Sequence, residues 1–298
     1  MPRVDRDGVS LYYEIEGDGP TVAFIEDLGY GAWQWAWQHA ALSRGFETLA
    51  WDLRGTGHSD VPEGPYTVDE LAADLEAILS EEAIRNVHLI GAGLGGAIAL
   101  QYALSYDRAR SLILIGTSAG GHHLPEAPVS RLFAPHDDPE ALRETLKEVL
   151  TDEFVTEQPA VVDGIVRWRA GERPAVAGRG DTGEGNSSGE TPPDEGLVGD
   201  IGTQSRGGDA MGAGWRAQAA ALETFDLRDR LHEITEPALV VHGTADSVWP
   251  PEGGRTLAEG LPRGSHEPVE GGSHLVHIEQ SRVVNDLFVD FLEELVER

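Results

Sequence analysis

Short apolar runs alternate with stretches of helical spacing along the first 121 residues. Residues 9–15 alternate apolar and polar, as a half-exposed strand does, and Gly17-Asp18-Gly19-Pro20 turns the chain. Residues 21–25 and 111–115 are nearly continuous apolar runs, the signature of strands buried on both faces. Residues 46–51 and 86–90 read as two further strands. Val68, Leu71, Ala72, Leu75, Ile78 and Leu79 recur at helical spacing over 68–80, and Thr67 with Glu70 predicts a capping box at its start. A second helix is expected over 97–105. Strand–helix repetition with short apolar strands predicts a mostly parallel sheet covered by helices on both faces.

The pattern breaks in the middle. No strand is evident from His122 to Ala221. Residues 138–150 read as a helix with Asp138 as cap and Pro139 at the first helical position, 154–170 as a helix broken near Pro159, and 211–222 as another. Residues 171–214 are rich in Gly, Ser, Thr, Asp, Glu and Pro with few large apolar side chains, so they are expected to add little core and to be mobile. The α/β pattern then resumes, with strands at 238–242 and 266–269 and helices at 252–259 and 283–296. The organisation expected is one α/β core from 1–121 and 222–298, with a largely helical lid inserted at 122–221.

Composition narrows the function. The chain has 298 residues, enough for a sizeable core, and no cysteine, which excludes disulfides, thiolate metal sites and a cysteine nucleophile. With 52 Asp and Glu against 22 Lys and Arg, its formal charge of −30 opposes binding to nucleic acid or anionic membrane. No apolar run approaches the length of a membrane span, and residues 1–7 carry no secretory h-region. A soluble cytoplasmic protein is expected, with a small molecule as its partner and no cofactor or metal implied. Oligomeric state is not written in the sequence. Lys147 is the only lysine; such an acidic, lysine-poor composition resembles that of proteins from salt-in halophiles.

The candidate chemistry starts at residues 86–100, where a glycine-rich turn joins a strand to a helix. Gly91-Ala92-Gly93-Leu94-Gly95-Gly96 has the wrong spacing for a dinucleotide fingerprint and lacks the Gly-Lys-Ser/Thr of a phosphate loop. Gly91 and Gly95 match the outer glycines of a G-x-S-x-G nucleophile elbow, with Gly93 at the position of the serine. Asp52-Leu53-Arg54-Gly55-Thr56-Gly57-His58-Ser59 matches a D-x-R-G-x-G-x-S turn. His242-Gly243-Thr244-Ala245-Asp246 and Gly271-Gly272-Ser273-His274 follow in the order elbow, acid, histidine.

Together these motifs resemble the α/β-hydrolase superfamily over nearly the whole core, in the flavour of its enol-lactone hydrolase and proline-iminopeptidase-like branch. The resemblance implies an α/β-hydrolase fold, with Asp246 as triad acid and His274 as triad base, the acid fixing the imidazole tautomer. It implies an oxyanion hole and pocket around Asp27, Leu28 and Leu94; Trp33 and its neighbours read either as rings at the pocket mouth or as lid and core packing. Trp33, Trp35 and Trp37 alternate as a strand would, although the family has a helix nearby.

Two departures unsettle the family's chemistry. Gly93 offers no hydroxyl for His274 to activate, so no acyl-enzyme forms there. Glu26-Asp27 stands where the family usually has His-Gly, and two carboxylates facing a developing oxyanion would oppose it. Ser118 is the best substitute nucleophile, since its loop follows a strand at the C-terminal edge of the sheet. Ser59 and Ser273 read as turn hydroxyls, and His122, His123 and His136 lack the acidic partners of a metal site.

Two functions remain open. In one, His274–Asp246 deprotonates water, or the substrate itself, in a reaction on an ester- or lactone-like small molecule, with Glu26 as a second acid/base raised by burial. In the other, the chain is a catalytically inactive protein that binds a small molecule. The first is favoured by the retention of both dyad residues and the second by Gly93, Glu26 and Asp27. Gly93→Ser would test whether the remaining machinery is poised for acyl transfer. The charge makes its own prediction. Screening shortens to about 3 Å in molar salt, so the melting midpoint should rise between about 0.1 and about 3 M KCl. A flat or falling midpoint in a thermal scan would contradict salt adaptation.

Overall fold

The computed structural model describes residues 2–120, 132–171 and 208–296. Eight strands form one sheet in the order β1-β2-β4-β3-β5-β6-β7-β8. They are β1 (Arg3–Arg6), β2 (Val9–Glu16), β3 (Thr21–Ile25), β4 (Glu47–Trp51), β5 (Val87–Ala92), β6 (Ala109–Ile115), β7 (Ala238–Gly243) and β8 (Gly264–Val269). The β1–β2 and β2–β4 pairs are antiparallel and every other pair is parallel. This is the α/β-hydrolase fold that the motifs implied. Strand β1 was not foreseen, because Arg-Val-Asp-Arg carries no apolar pattern and pairs at an exposed edge.

The apolar runs are continuous because both faces of the central strands are buried. On β3, Ala23 and Ile25 pack into one core layer and Val22 and Phe24 into the other. Helix α2 (Val68–Glu81) closes the first face with Leu71, Leu75 and Ile78. The last helix, Ser281–Val296, closes the second with Val284, Phe288 and Leu292, all fully buried. The Thr67–Glu70 capping box forms as expected, satisfying two amide donors at the start of α2.

Three local readings change. Residues 33–37 do not form a strand: Ala32–Trp35 is a 3-10 turn running into the helix Ala36–Leu42. Trp35 stacks on Phe24 at 5.2 Å between ring centres, so it is core, whereas Trp33 lies 5.5 Å from Tyr30 and 5.2 Å from Trp168. The helix after the elbow begins at Leu94, directly after Gly93. The segment expected as one broken helix is two, Asp152–Glu157 and Pro159–Arg169, because Pro159 starts the second at its first position. Residues 172–207 of the expected mobile stretch lie outside the described residues, as do His122 and His123. No helix among the described residues is long and apolar enough to cross a membrane.

The D-x-R-G turn is fixed by a buried ion cluster. Asp74 on α2 accepts from Arg54 Nε and Nη2, each at 2.6 Å, and from Arg6 Nη1 at 2.9 Å. A bidentate guanidinium pair with a fully buried carboxylate sets both distance and orientation. From this turn the chain reaches the site. Gln218 donates to Arg54 O at 2.9 Å and accepts from Gly29 N at 3.2 Å, tying the turn to the loop after β3.

Candidate active site

The strand β5 ends at Ala92, and the chain reverses into the helix Leu94–Ser105 through Gly93 alone. Gly93 has φ +49° and ψ −111°, a conformation that side chains rarely adopt. Its N–H donates to Ile115 O at 2.9 Å, and its carbonyl accepts from Thr117 Oγ1 at 2.8 Å, so the turn is pinned from β6. At Gly95 a Cβ would come within 2.0 Å of Ile25 O, which is why the helix can pack this close to β3. The geometry is a sharp strand–turn–helix reversal whose tip carries no side chain.

The bare tip is filled from the neighbouring strand. A Cβ on Gly93 would lie 1.9 Å from Asp27 Oδ1. Asp27 follows β3, and its Oδ1 accepts from Leu28 N at 2.7 Å and from Leu94 N at 2.9 Å. These are the two amides that the family resemblance puts around an oxyanion hole, one after the elbow and one in the loop after β3. Asp27 Oδ2 lies 2.8 Å from His274 Nε2. Asp27 therefore does not face these amides across a gap; its own Oδ1 takes both of them.

His274 stands in the loop after β8, positioned by neighbours on both sides. Ser273 Oγ donates to Val149 O at 2.7 Å, and Leu275 N donates to the same carbonyl at 3.0 Å. His274 Nδ1 lies 2.9 Å from Asp246 Oδ2. Asp246 Oδ1 accepts from Val248 N at 2.8 Å and Trp249 N at 2.9 Å, which locks the carboxylate after β7. A continuous chain of bonds thus runs from Asp246 through His274 to Asp27 and the two amides.

Electrostatics follow from this sandwich. Burial alone would lower the His274 pKa, but Asp246 and then Asp27 raise it to about 10. Burial would likewise raise that of Asp246, but His274, then His242, hold it far below the usual carboxylate range. The ring therefore holds its proton well above neutral pH, between Asp246 and Asp27. Beside it His277 is pushed down to about 3 by burial and by the His274 charge, so it stays neutral. Its Nε2 lies 3.0 Å from Gln34 Nε2, whose other end accepts from Asp27 N at 2.8 Å. Gln34 thereby holds the backbone that aims Asp27.

The other candidates are placed elsewhere. Glu26 Oε1 accepts from Leu53 N at 2.9 Å and Thr56 Oγ1 at 2.7 Å, so this carboxyl braces the arginine turn and makes no bond to His274. Burial, then Asp52, pushes its pKa well above the usual range. Ser118 is buried, and its hydroxyl accepts from Gly120 N at 3.3 Å within its own loop. Ser59 bonds to Tyr12 N and Asp52 O, a turn hydroxyl as read. His136 is buried, and no group of three metal-ligating side chains occurs among the described residues.

Two residues had no sequence signal. Arg169 is buried, donates to Thr145 Oγ1 at 2.6 Å and Leu132 O at 3.1 Å, and lies over the Tyr30 and Trp215 rings at 5.0 and 4.9 Å. Its Nε and Trp215 Nε1 have no partner among the described residues, and no carboxylate contacts the guanidinium there. Trp215 packs on Gly29, since a Cβ there would be 3.1 Å from its ring. A lone arginine or tryptophan outside the recognised motifs carries no sequence signal.

With this geometry in hand, relatives are informative. Residues 28–287 match the alpha/beta hydrolase family. The chain belongs to that family. It is 30% identical over 287 residues to a putative carbamate hydrolase RutD of Variovorax paradoxus, covering 95% of this chain and 96% of that one. The enol-lactonase of Burkholderia xenovorans LB400 is 27% identical, with a TM-score of 0.75 over 98% of this chain and 100% of that one. A bromoperoxidase from Bacillus anthracis shares the fold at a TM-score of 0.77 and 20% identity, covering 98% and 99%.

The overlap at Gly93 corrects the simplest rescue. Gly93→Ser alone forces its Cβ onto Asp27 Oδ1 and should yield a destabilised protein with no gain in p-nitrophenyl acetate hydrolysis. Asp27→Gly with Gly93→Ser vacates the hole and restores the hydroxyl. That double variant should hydrolyse the ester at least about a hundredfold faster than wild type. Equal rates for the single and double variants would refute the coupling between positions 27 and 93.

Proposed function

We propose that this family member hydrolyses a small molecule without forming an acyl-serine. Its working groups are His274, Asp246, Asp27 and the amides of Leu28 and Leu94, and the 122–221 insertion forms a lid through Arg169 and Trp215. One observation carries this reading: a single carboxylate joins the dyad to both hole amides, through Oδ2 to Nε2 at 2.8 Å and Oδ1 to the two N–H groups. Two amides and an imidazole do not converge on one point by chance in an elbow that has lost its serine. The full-length likeness to a putative carbamate hydrolase and to an enol-lactonase supports small-molecule hydrolysis.

The proton inventory refines the mechanism. Water activation by His274 requires a neutral ring, yet two carboxylates keep it charged at neutral pH. His274 therefore acts as proton donor in the resting site and becomes a base only when one carboxylate is neutralised or displaced. Both carboxylates accept two amide hydrogen bonds, but Asp27 lies at the elbow tip beside Gly93, so Asp27 is the one taken to change state. Glu26, tied to the arginine turn, supports that turn and takes no part in proton transfer.

The competing reading, a binding protein that has lost its chemistry, is favoured by the same carboxylate, which fills the hole and occupies Nε2. The two separate in one assay. Wild-type protein in molar KCl should turn over a member of an ester, lactone and epoxide panel, and His274→Gln should lose about a hundredfold or more of that rate. No turnover across the panel, or a rate indifferent to His274→Gln, would favour the binding protein.

A further inference from the structure

We infer that Asp27 is itself the covalent nucleophile, supplied from the loop after β3 in place of an elbow serine, and that its substrates are electrophiles at saturated carbon, such as epoxides or alkyl halides. This rests on the hydrolase reading above and names the substrate class for that site.

The class follows from which oxygen the hole already holds. An acyl substrate needs the Leu28 and Leu94 amides for its own carbonyl oxygen, but Asp27 Oδ1 accepts from both. Carboxylate attack on an acyl carbon would also produce a mixed anhydride with no stabilised oxyanion. Substitution at saturated carbon makes neither demand. Oδ2 attacks, while Oδ1 stays in the hole and becomes the carbonyl oxygen of an alkyl ester. The hole then serves the enzyme's own carbonyl, polarising Cγ for the second step.

The steps balance. A new Oδ2–carbon bond forms as the carbon–leaving-group bond breaks, and the pair of electrons departs with the leaving group. From an epoxide, the alkoxide takes the proton of the His274 imidazolium; from a halide, the anion departs and the proton goes to solvent. Esterification removes the charge and hydrogen bond of Asp27 that help keep His274 protonated. The ring thus becomes a base when a base is needed.

Neutral His274 then takes a proton from water as the hydroxide adds to Asp27 Cγ. The negative charge gathers on Oδ1 against Leu28 N and Leu94 N. Collapse expels the alkoxide, which takes the proton of the new carboxylic acid and leaves as alcohol. Asp27 is a carboxylate again and His274 an imidazolium, as at the start. Net, one water is consumed per molecule, an epoxide giving a diol and a halide giving an alcohol with release of acid.

Position 93 is consistent with this assignment. Any side chain there would collide with Oδ1, so the absence of a serine is a condition of Asp27 occupying the site. The carboxylate also needs no activating base in the first step, in keeping with a charged His274.

The test follows the oxygen atoms. Full-length protein in heavy-oxygen water and molar KCl is given less than one equivalent of styrene oxide or 1-bromobutane, then digested for mass spectrometry. Asp27 should gain two mass units, and the first-turnover product should carry the original Asp27 oxygen. His274→Gln should accumulate an alkyl adduct on the Asp27 peptide, and Asp27→Asn, which keeps the shape of the side chain, should give none. Turnover of esters or lactones with no label on Asp27 would overturn the nucleophile while leaving the hydrolase reading intact. Unlabelled, unalkylated Asp27 with no turnover of any panel member would overturn both.

Discussion

The carboxylate of Asp27 accepts hydrogen bonds from Leu28 N and Leu94 N and faces the imidazole of His274, and the remainder of the site is arranged around that anion. Burying a carboxylate is costly unless every lone pair is met, and removing one partner of a buried pair costs about 3–5 kcal/mol. Here two amides and an imidazolium meet it, each charge-assisted bond being worth about 1.5–3 kcal/mol. The arrangement in turn requires Gly93, because no Cβ fits at the elbow tip, and it adds to the larger effect of Asp246 in raising the His274 pKa. Positions 27 and 93 are sterically coupled, since a Cβ at 93 would overlap Asp27 Oδ1.

The surrounding fold holds the loop after β3 in place through its backbone. Gln34 bridges neutral His277 and the Asp27 amide. Gln218 joins the loop after β3 to the arginine turn, which Asp74 fixes through Arg54 and Arg6. Glu26, adjacent to Asp27 in sequence, points its bonds into that turn. Neighbouring residues after a strand have side chains on opposite sides, so one acid braces the scaffold while the other reaches the site.

Much of the fold was legible because its signals are local. Buried parallel strands show as apolar runs, a capping box as Thr67 and Glu70, and the elbow as glycines whose close approaches to β3 exclude side chains. The positions of His274 and Asp246 were legible from motif order. The role of Asp27 was not, because nothing local tells which way a side chain after β3 points or that a missing Cβ across the sheet leaves room for it. Residues 26 and 27 were alike in sequence and are opposite in structure. The alternation Trp33-x-Trp35-x-Trp37 misled for a related reason: a 3-10 turn entering a helix also sends such residues to different surroundings, Trp35 to the core and Trp33 to Trp168. Arg169 was invisible because its partners, Thr145, Leu132 and the Tyr30 and Trp215 rings, lie far from it in sequence.

The central claim is that Asp27 is an anion sharing a proton-bearing imidazole with Asp246. Heteronuclear NMR of the His274 ring nitrogens across a pH titration addresses it directly. Both nitrogens should be protonated at neutral pH, with deprotonation only toward about 10, against 6.5 for an ordinary histidine. In Asp27→Asn, which removes the charge and keeps the shape, the midpoint should fall. A His274 ring that is already neutral at neutral pH, or a midpoint unmoved by Asp27→Asn, would contradict the account.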